Sequence, residues 1–276
     1  MTAAARRVRL TAVAAALALL PAAGSAGAAR SRPLPTVMVA LGDSISRGFD
    51  SCGFYVDCPE RSWSTGVDDR VDSQRARLTA AGAKLAATNL AHTGATVAAL
   101  ADQVAGAVAD HADYVTLEIG ANDACSTDVA SMTPVADYRS RLRGALDKLH
   151  DGLPQARMFI ASVPDLFRLW QVGHGNRLAR FAWSHGHICQ SMLAAPESTA
   201  AGDVTRREAV RTRVEAYNAE LAAACEDYGS ACRYDKGAVF DTPFTADQIS
   251  KWDWFHPNVN GQHELAAVTW RAGFFD

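Results

Sequence analysis

The sequence predicts an α/β domain built on a parallel sheet with helices over both faces. Two observations carry that expectation. Short apolar runs alternate along the chain with longer segments of helical period. The first three of those runs end in glycine-containing turns, at Gly42, Gly94 and Gly120. The chain has 276 residues, enough for one such domain with a large core. No internal repeat, low-complexity tract or linker divides it.

The N-terminus stands apart. Arg6, Arg7 and Arg9 precede an apolar stretch from Leu10 to Leu20, followed by Pro21, small residues and Ala26-Gly27-Ala28. This reads as a signal peptide over residues 1–28, cleaved near Ala28, and its apolar core is too short to span a bilayer. Arg6-Arg7 raises a twin-arginine export route, although the residues around the pair match that signal poorly. A single domain over residues 29–276 remains. Losing the leader removes three arginines and no acid, which moves the formal charge from −3 to about −6. Mild acidity argues against a nucleic-acid partner. The expectation is a secreted, extracellular monomer without stable membrane insertion.

Strands are expected at residues 36–41, 85–91, 114–119 and 158–163, the last stopped by Pro164, with a weaker fifth around 232–240. A helix over 97–108 carries Val97, Leu100, Val104 and Val108 on one face. Thr133 is expected to cap the next helix, with Pro134 at its first position; Val135, Tyr138, Leu142, Leu146 and Leu149 form its buried stripe. Residues 206–225 repeat the pattern with Val210, Val214, Tyr217 and Leu221. Asn260 is expected to cap a last helix that buries Leu265 and Val268. Residues 51–66 and 165–202 show little period, and loops of that length are usually functional or covalently held.

Six cysteines, an even set, suit an oxidising compartment. Cys52–Cys58 and Cys225–Cys232 would close short loops, leaving Cys125–Cys189. A metal site is the alternative, but neither close pair has C-x-x-C spacing.

The chemistry sits at strand ends, where open α/β sheets bind ligands. Gly42-Asp43-Ser44 follows the first strand and delivers a serine to a helix start, with helix N–H groups beside its oxygen. Asp253-Trp254-Phe255-His256 supplies a histidine with a carboxylate three residues before it. A hydroxyl nucleophile, a base and a group that orients the base point to acyl transfer to water. The backbone N–H groups of Ser44 and Gly94 and the side-chain amide of Asn122 are suitable oxyanion donors. Asp43 and Asp123 are expected to shape their turns by accepting backbone N–H groups.

Gly42-Asp43-Ser44, Gly94, Gly120-Ala121-Asn122-Asp123 and Asp253-Trp254-Phe255-His256 resemble the four motif blocks of the SGNH (GDSL-type) hydrolases, in the family's order over residues 42–256. The resemblance implies a flavodoxin-like three-layer α/β/α sandwich with a mostly parallel five-stranded sheet. It implies a secreted bacterial esterase or lipase that cleaves lipid or short-chain acyl esters through an acyl-enzyme, with no metal or organic cofactor. Ser44 would be nucleophile, His256 base and then acid, Asp253 its partner, and Ser44, Gly94 and Asn122 the oxyanion hole. In some secreted members a main-chain carbonyl replaces the acid. A carbohydrate O-acetyl esterase would use the same machinery. A silent binding protein of this fold would lack one of these residues, and here every position is filled.

A narrower likeness, to the phospholipase B-like branch, lies in Arg61-Ser62-Trp63-Ser64-Thr65-Gly66 with Cys125. It would make Arg61 a contact for phosphate or another acidic group and Trp63 a surface for an acyl chain. Alternatively, both hold a disulfide-bounded loop in place. Phe167, Trp170, Phe181 and Trp183 either wall a cleft or fill core. Asp68, Asp69 and Asp72 read as a solvated face, and His185 and His187 as loop histidines rather than metal ligands.

Overall fold

The computed structural model describes residues 33–275 together with residues 1, 2 and 4. The expected signal peptide and its cleavage site lie outside the described residues but for those three positions. The main compact unit runs over Leu34–Asp276.

In chain order the elements are β1 (Val37–Gly42), α1 (Ser44–Arg47), α2 (Gln74–Ala80), β2 (Ala86–Asn89), α3 (Leu100–Ala109), β3 (Tyr114–Glu118), α4 (Ala121–Ala124), α5 (Val135–Gly152), β4 (Arg157–Ile160), α6 (Leu166–Gly173), α7 (Arg177–His185), α8 (Gln190–Leu193), α9 (Ala201–Tyr228), β5 (Cys232–Tyr234) and α10 (Val259–Ala272). All strand pairs are parallel, in the order β2-β1-β3-β4-β5. That is the flavodoxin-like arrangement, whose switch point lies between β1 and β3. Helices α3, α5 and α9 pack side by side, and α2 meets α10. The central strands are buried on both faces, as a covered parallel sheet requires: Met38 to Leu41, Val115, Leu117 and Met158 to Ile160 are fully buried.

Several local expectations change. Thr133 does not cap α5; Pro134 occupies the N-cap position with no side-chain bond, and the Thr133 carbonyl instead accepts from Arg213 and the Tyr217 hydroxyl. Asn258, not Asn260, caps α10, its side chain accepting from Asn260 and Gly261 N–H at 2.8 and 3.1 Å. The fifth strand is short because Asp235 turns the chain at once, accepting from Gly237 and Val239 N–H at 2.9 Å each. Residues 165–202 hold three helices, two of them opened by side-chain caps at Asp165 and Asn176. Asp68 is no solvated residue: its side chain is 16% exposed and pairs with Arg61 and Arg70, which hold its carboxyl well below the usual carboxylate range.

The structure bonds Cys52 to Cys58, Cys125 to Cys189 and Cys225 to Cys232. Within the loop 51–66, the suggested substrate contacts turn inward. Trp63 is fully buried, edge-on to Phe159 of β4, and its N–H donates to Gln262 Oε1 of α10 at 2.8 Å. Arg61 donates to Asp68 at 3.0 Å and to the Ser51 carbonyl. Trp63 therefore offers no face to an acyl chain, and the Arg61 guanidinium is engaged in bracing its own loop. Trp63→Ala is expected to cost about 3–5 kcal/mol of stability, read from urea unfolding, while the preference among acyl chain lengths stays as in the wild type.

Candidate active site

The site forms where β1 and β3 end. Gly42 stands in register with Glu118 at φ +138°, and a Cβ there would fall 2.1 Å from the Glu118 carbonyl oxygen. Only glycine permits this approach. Asp43 follows as the N-cap of α1, its Oδ1 accepting from Ile45 N–H at 2.9 Å. Ser44 is thereby the first residue of a short helix whose opening N–H groups have no intrahelical acceptor.

His256 comes from the segment before α10. Ile249 and Pro257 form an antiparallel bridge, and Ser250 N–H donates to the His256 carbonyl at 2.8 Å. The intervening loop is thus pinched shut. Within it, Asp253 Oδ1 accepts the backbone N–H of Phe255 and His256 at 2.9 and 3.1 Å, and Oδ2 pairs with His256 Nδ1. One oxygen fixes the turn while the other orients the ring. His256 Nε2 lies 2.8 Å from Ser44 Oγ. Phe49 and Phe255 set their rings edge-on to the imidazole, at 4.9 and 5.0 Å between centroids. Trp254, at φ +57°, is held by its carbonyl accepting from Trp183 Nε1 at 3.0 Å. Burial pushes the Asp253 carboxyl up, but the hydrogen bond and charge of His256 and the two backbone N–H groups outweigh it, and it lies below its ordinary value.

Gly94 adopts φ +81° in the loop after β2. Asn122, in the first turn of α4, donates from Nδ2 to the Ala95 carbonyl at 2.9 Å. It caps no helix, and its second amide hydrogen is uncommitted by that bond. Asp123 Oδ2 accepts Val97 N–H at 2.9 Å, which ties the Gly94 loop to α4. Gln262 of α10 accepts from Trp63 and donates to the Ile45 carbonyl at 2.8 Å, joining the histidine's helix to the serine's turn.

Buried acids lie beside the Ser44 turn. Burial pushes Asp43 up to about 6, and burial with the nearby Asp43 charge pushes Glu118 well above its ordinary value. Glu118 lies fully buried beneath the turn. Nothing in the sequence flagged Glu118, Gln262 or Asp50. They read as ordinary strand, helix and loop residues, and only their burial sets them apart.

A small apolar cleft of about 60 Å³ adjoins the Ser44–His256–Asp253 group. Ile45, next to Ser44, and Phe255 and Pro257, on either side of His256, form one side, and Leu169, Val172 and Phe244 the other. Phe167, Trp170, Phe181 and Trp183, which could have walled a cleft or filled core, do not line it. Trp183 is fully buried and Phe181 is 61% exposed. Trp170 stacks on His174 and lies under Arg207, and Phe167 packs against Trp170 and Arg211. The walls come instead from aliphatic neighbours on α6.

Among the described residues, two groups have ligand atoms close enough to hold a metal ion. In one, Cys52 and Cys58 with Glu60, the sulfurs are joined to each other. In the other, Asp50, Asp253 and His256, two members are the pair just described.

Comparison with known proteins bears on this arrangement. Solved structures similar to this chain include the acetylxylan esterase Axe2 from Geobacillus stearothermophilus (16% identity over 86% of this chain and 93% of that chain, TM-score 0.53). Others are LAE5, an alpha/beta hydrolase enzyme from the metagenome of Lake Arreo (18%, 86% and 96%, TM-score 0.52), and the psychrotrophic esterase EstA from Pseudoalteromonas sp. (15%, 86% and 96%, TM-score 0.51). At these identities the likeness is one of fold. No curated protein matches the chain. The model of the GDSL-like lipase/acylhydrolase family matches residues 38–268, a span that runs from β1 through most of α10. The chain therefore belongs to the GDSL-like lipase/acylhydrolase family and is a carboxylic ester hydrolase.

Proposed function

We propose that this protein is a secreted serine esterase that removes apolar acyl groups from their alcohols through an acyl-enzyme on Ser44. The observation that carries the reading is the continuous chain from Ser44 Oγ to His256 Nε2 at 2.8 Å and on to Asp253. His256 takes the serine proton as Oγ attacks the ester carbonyl, then returns it to the departing alkoxide. Asp253 keeps the ring in the tautomer with Nε2 free and stabilises the imidazolium. The negative oxygen of the tetrahedral intermediate is received by the N–H groups of Ser44 and Gly94 and by the Asn122 amide hydrogen not given to Ala95. Water repeats the sequence and frees the acid.

The acyl group is assigned to the apolar cleft, which begins at the residue after the nucleophile and flanks the base. Its aliphatic and aromatic walls favour a hydrocarbon chain over acetyl. Arg61, turned to Asp68 and Ser51, supports no phosphate contact. Secretion is supported by the N-terminal leader and by three disulfides. Among the described residues no helix is long and apolar enough to cross a membrane.

Ser44→Ala and His256→Ala are each expected to lower kcat by roughly 10⁴-fold or more with unchanged Tm; a Ser44→Ala enzyme that turns over p-nitrophenyl esters at the normal rate would sink the mechanism. Asn122→Ala should lose roughly 10²–10³ in kcat with little change in KM, measured on the same esters. In a panel of acetyl, octanoyl and palmitoyl esters, phospholipid and acetylated xylan, kcat/KM should favour octanoyl over acetyl. Val172→Trp, which fills the cleft, should reverse that order. A steep preference for acetyl on sugar would replace this substrate class by the carbohydrate O-acetyl esterase.

A further inference from the structure

Behind the His256–Asp253 pair stands a second carboxyl that the reaction so far leaves unused. Asp50 is 1% exposed and sits shortly after α1 at φ +57°, a backbone conformation kept by non-glycine residues only where surroundings impose it. Its N–H donates to the Val56 carbonyl at 2.9 Å, and its own carbonyl accepts the Ser250 hydroxyl at 3.0 Å. Oδ1 accepts the backbone N–H groups of Tyr55 and Val56. Oδ2 has no hydrogen-bond partner. A carboxylate oxygen of Asp50, one of Asp253 and a ring nitrogen of His256 all lie within 4.8 Å of one another. Two acids and an imidazole thus share one enclosed space. The titratable groups that face Asp50 are Asp253 and His256, both from the loop before α10.

We propose that Asp50 is a positioning residue that acts on the base from behind Asp253, placing a second negative charge near the imidazolium that forms as Ser44 gives up its proton. The inference rests on the Ser44–His256 reading above. Burial, joined by the charge of Asp253, pushes the Asp50 carboxyl up to about 6. Above that pH both carboxylates face the ring, and the cationic ring gains from both in a poorly solvated setting. Below it Asp50 carries a proton, its charge is gone, and Asp253 serves alone. No bond to substrate is made or broken by Asp50.

The arrangement has a cost with a definite sign. A carboxyl that binds its proton more tightly in the folded than in the unfolded chain contributes stability at low pH. That contribution is lost as pH rises from the ordinary value of 3.8 through about 6, and it stays lost above. The charge that assists the base therefore weakens the fold.

Asp50→Asn keeps the Oδ1 acceptor and deletes the charge. With a soluble p-nitrophenyl ester, kcat at pH 8 should fall about tenfold, the ratio that one unit of basicity represents, with KM unchanged. The acid limb of the kcat profile should move to lower pH. Thermal unfolding should show Tm above wild type at pH 8 and equal to it at pH 4. Activity lost while stability is gained is a signature that damage to a loop anchor does not produce. A pH profile superimposable on wild type, or a Tm lowered at both pH values, overturns the proposal. A second measurement is independent of turnover. In a Ser44→Ala background, the His256 imidazole, followed by ¹⁵N NMR, should titrate at lower pH when Asp50 is replaced by Asn. An unmoved titration overturns the role of Asp50 whether or not Ser44 is the nucleophile, whereas failure of the serine mechanism would show in Ser44→Ala turnover alone.

Discussion

The close approach of β1 to β3 at their carboxyl ends governs the placement of everything that follows. Gly42 lies so near the Glu118 carbonyl that no side chain fits. Gln103 of α3 clamps the same residue, accepting its N–H at 2.7 Å and donating to its carbonyl at 2.9 Å. With the strand fixed at that point, the chain turns within one residue, Asp43 caps the turn, and Ser44 emerges at the sheet edge. Asn122 follows Glu118 by only a few residues, so the same strand pairing positions the serine and the amide together. The switch point of a parallel sheet thus does for this enzyme what a cofactor fold does for a dinucleotide: it opens a crevice and aims two chain segments into it.

Much of this was legible in the sequence, for reasons that differ by element. The strands could be read because a sheet covered on both faces needs runs of apolar residues, and Val37 to Leu41 or Tyr114 to Ile119 can hardly be anything else. The helices α5 and α9 could be read because their buried faces repeat at regular steps. Helices α6 and α7 could not. They span only eight and nine residues, too few turns for a repeat at three- and four-residue steps to stand out from its surroundings. Their polar caps at Asp165 and Asn176 look like loop residues until the bonds are seen. The start of α5 was misplaced by one residue because Pro134, which caps with no side chain, takes the N-cap position, and that of α10 by two because Asn258 and Asn260 have the same chemistry and only the bonds choose between them.

The site shows the same division. Residues whose chemistry is conspicuous, Ser44, His256 and Asn122, could be singled out as candidates by motif. Residues that matter through burial did not. Trp63 could be read as a lipid contact or as a brace for its loop, because an exposed and a buried tryptophan read alike in one dimension, and Gln262, 199 positions away, decided which it was. The acids Glu118 and Asp50 drew no notice, since carboxylates are common and only an enclosed one is costly. Their number near Ser44 and His256 shows where the fold accepts strain. Stability is given up around the reacting groups and regained in the strands and disulfides that surround them.

The serine and the histidine are 212 positions apart, and every device that fixes the histidine lies near the end of the chain: the bridge between Ile249 and Pro257, the Asn258 cap, and Gln262 reaching back to Ile45. During synthesis the serine turn, the glycine loop and the amide all appear long before the base. The serine turn near the start of the sheet is thus completed by the last described helix, which reaches back to it through Gln262.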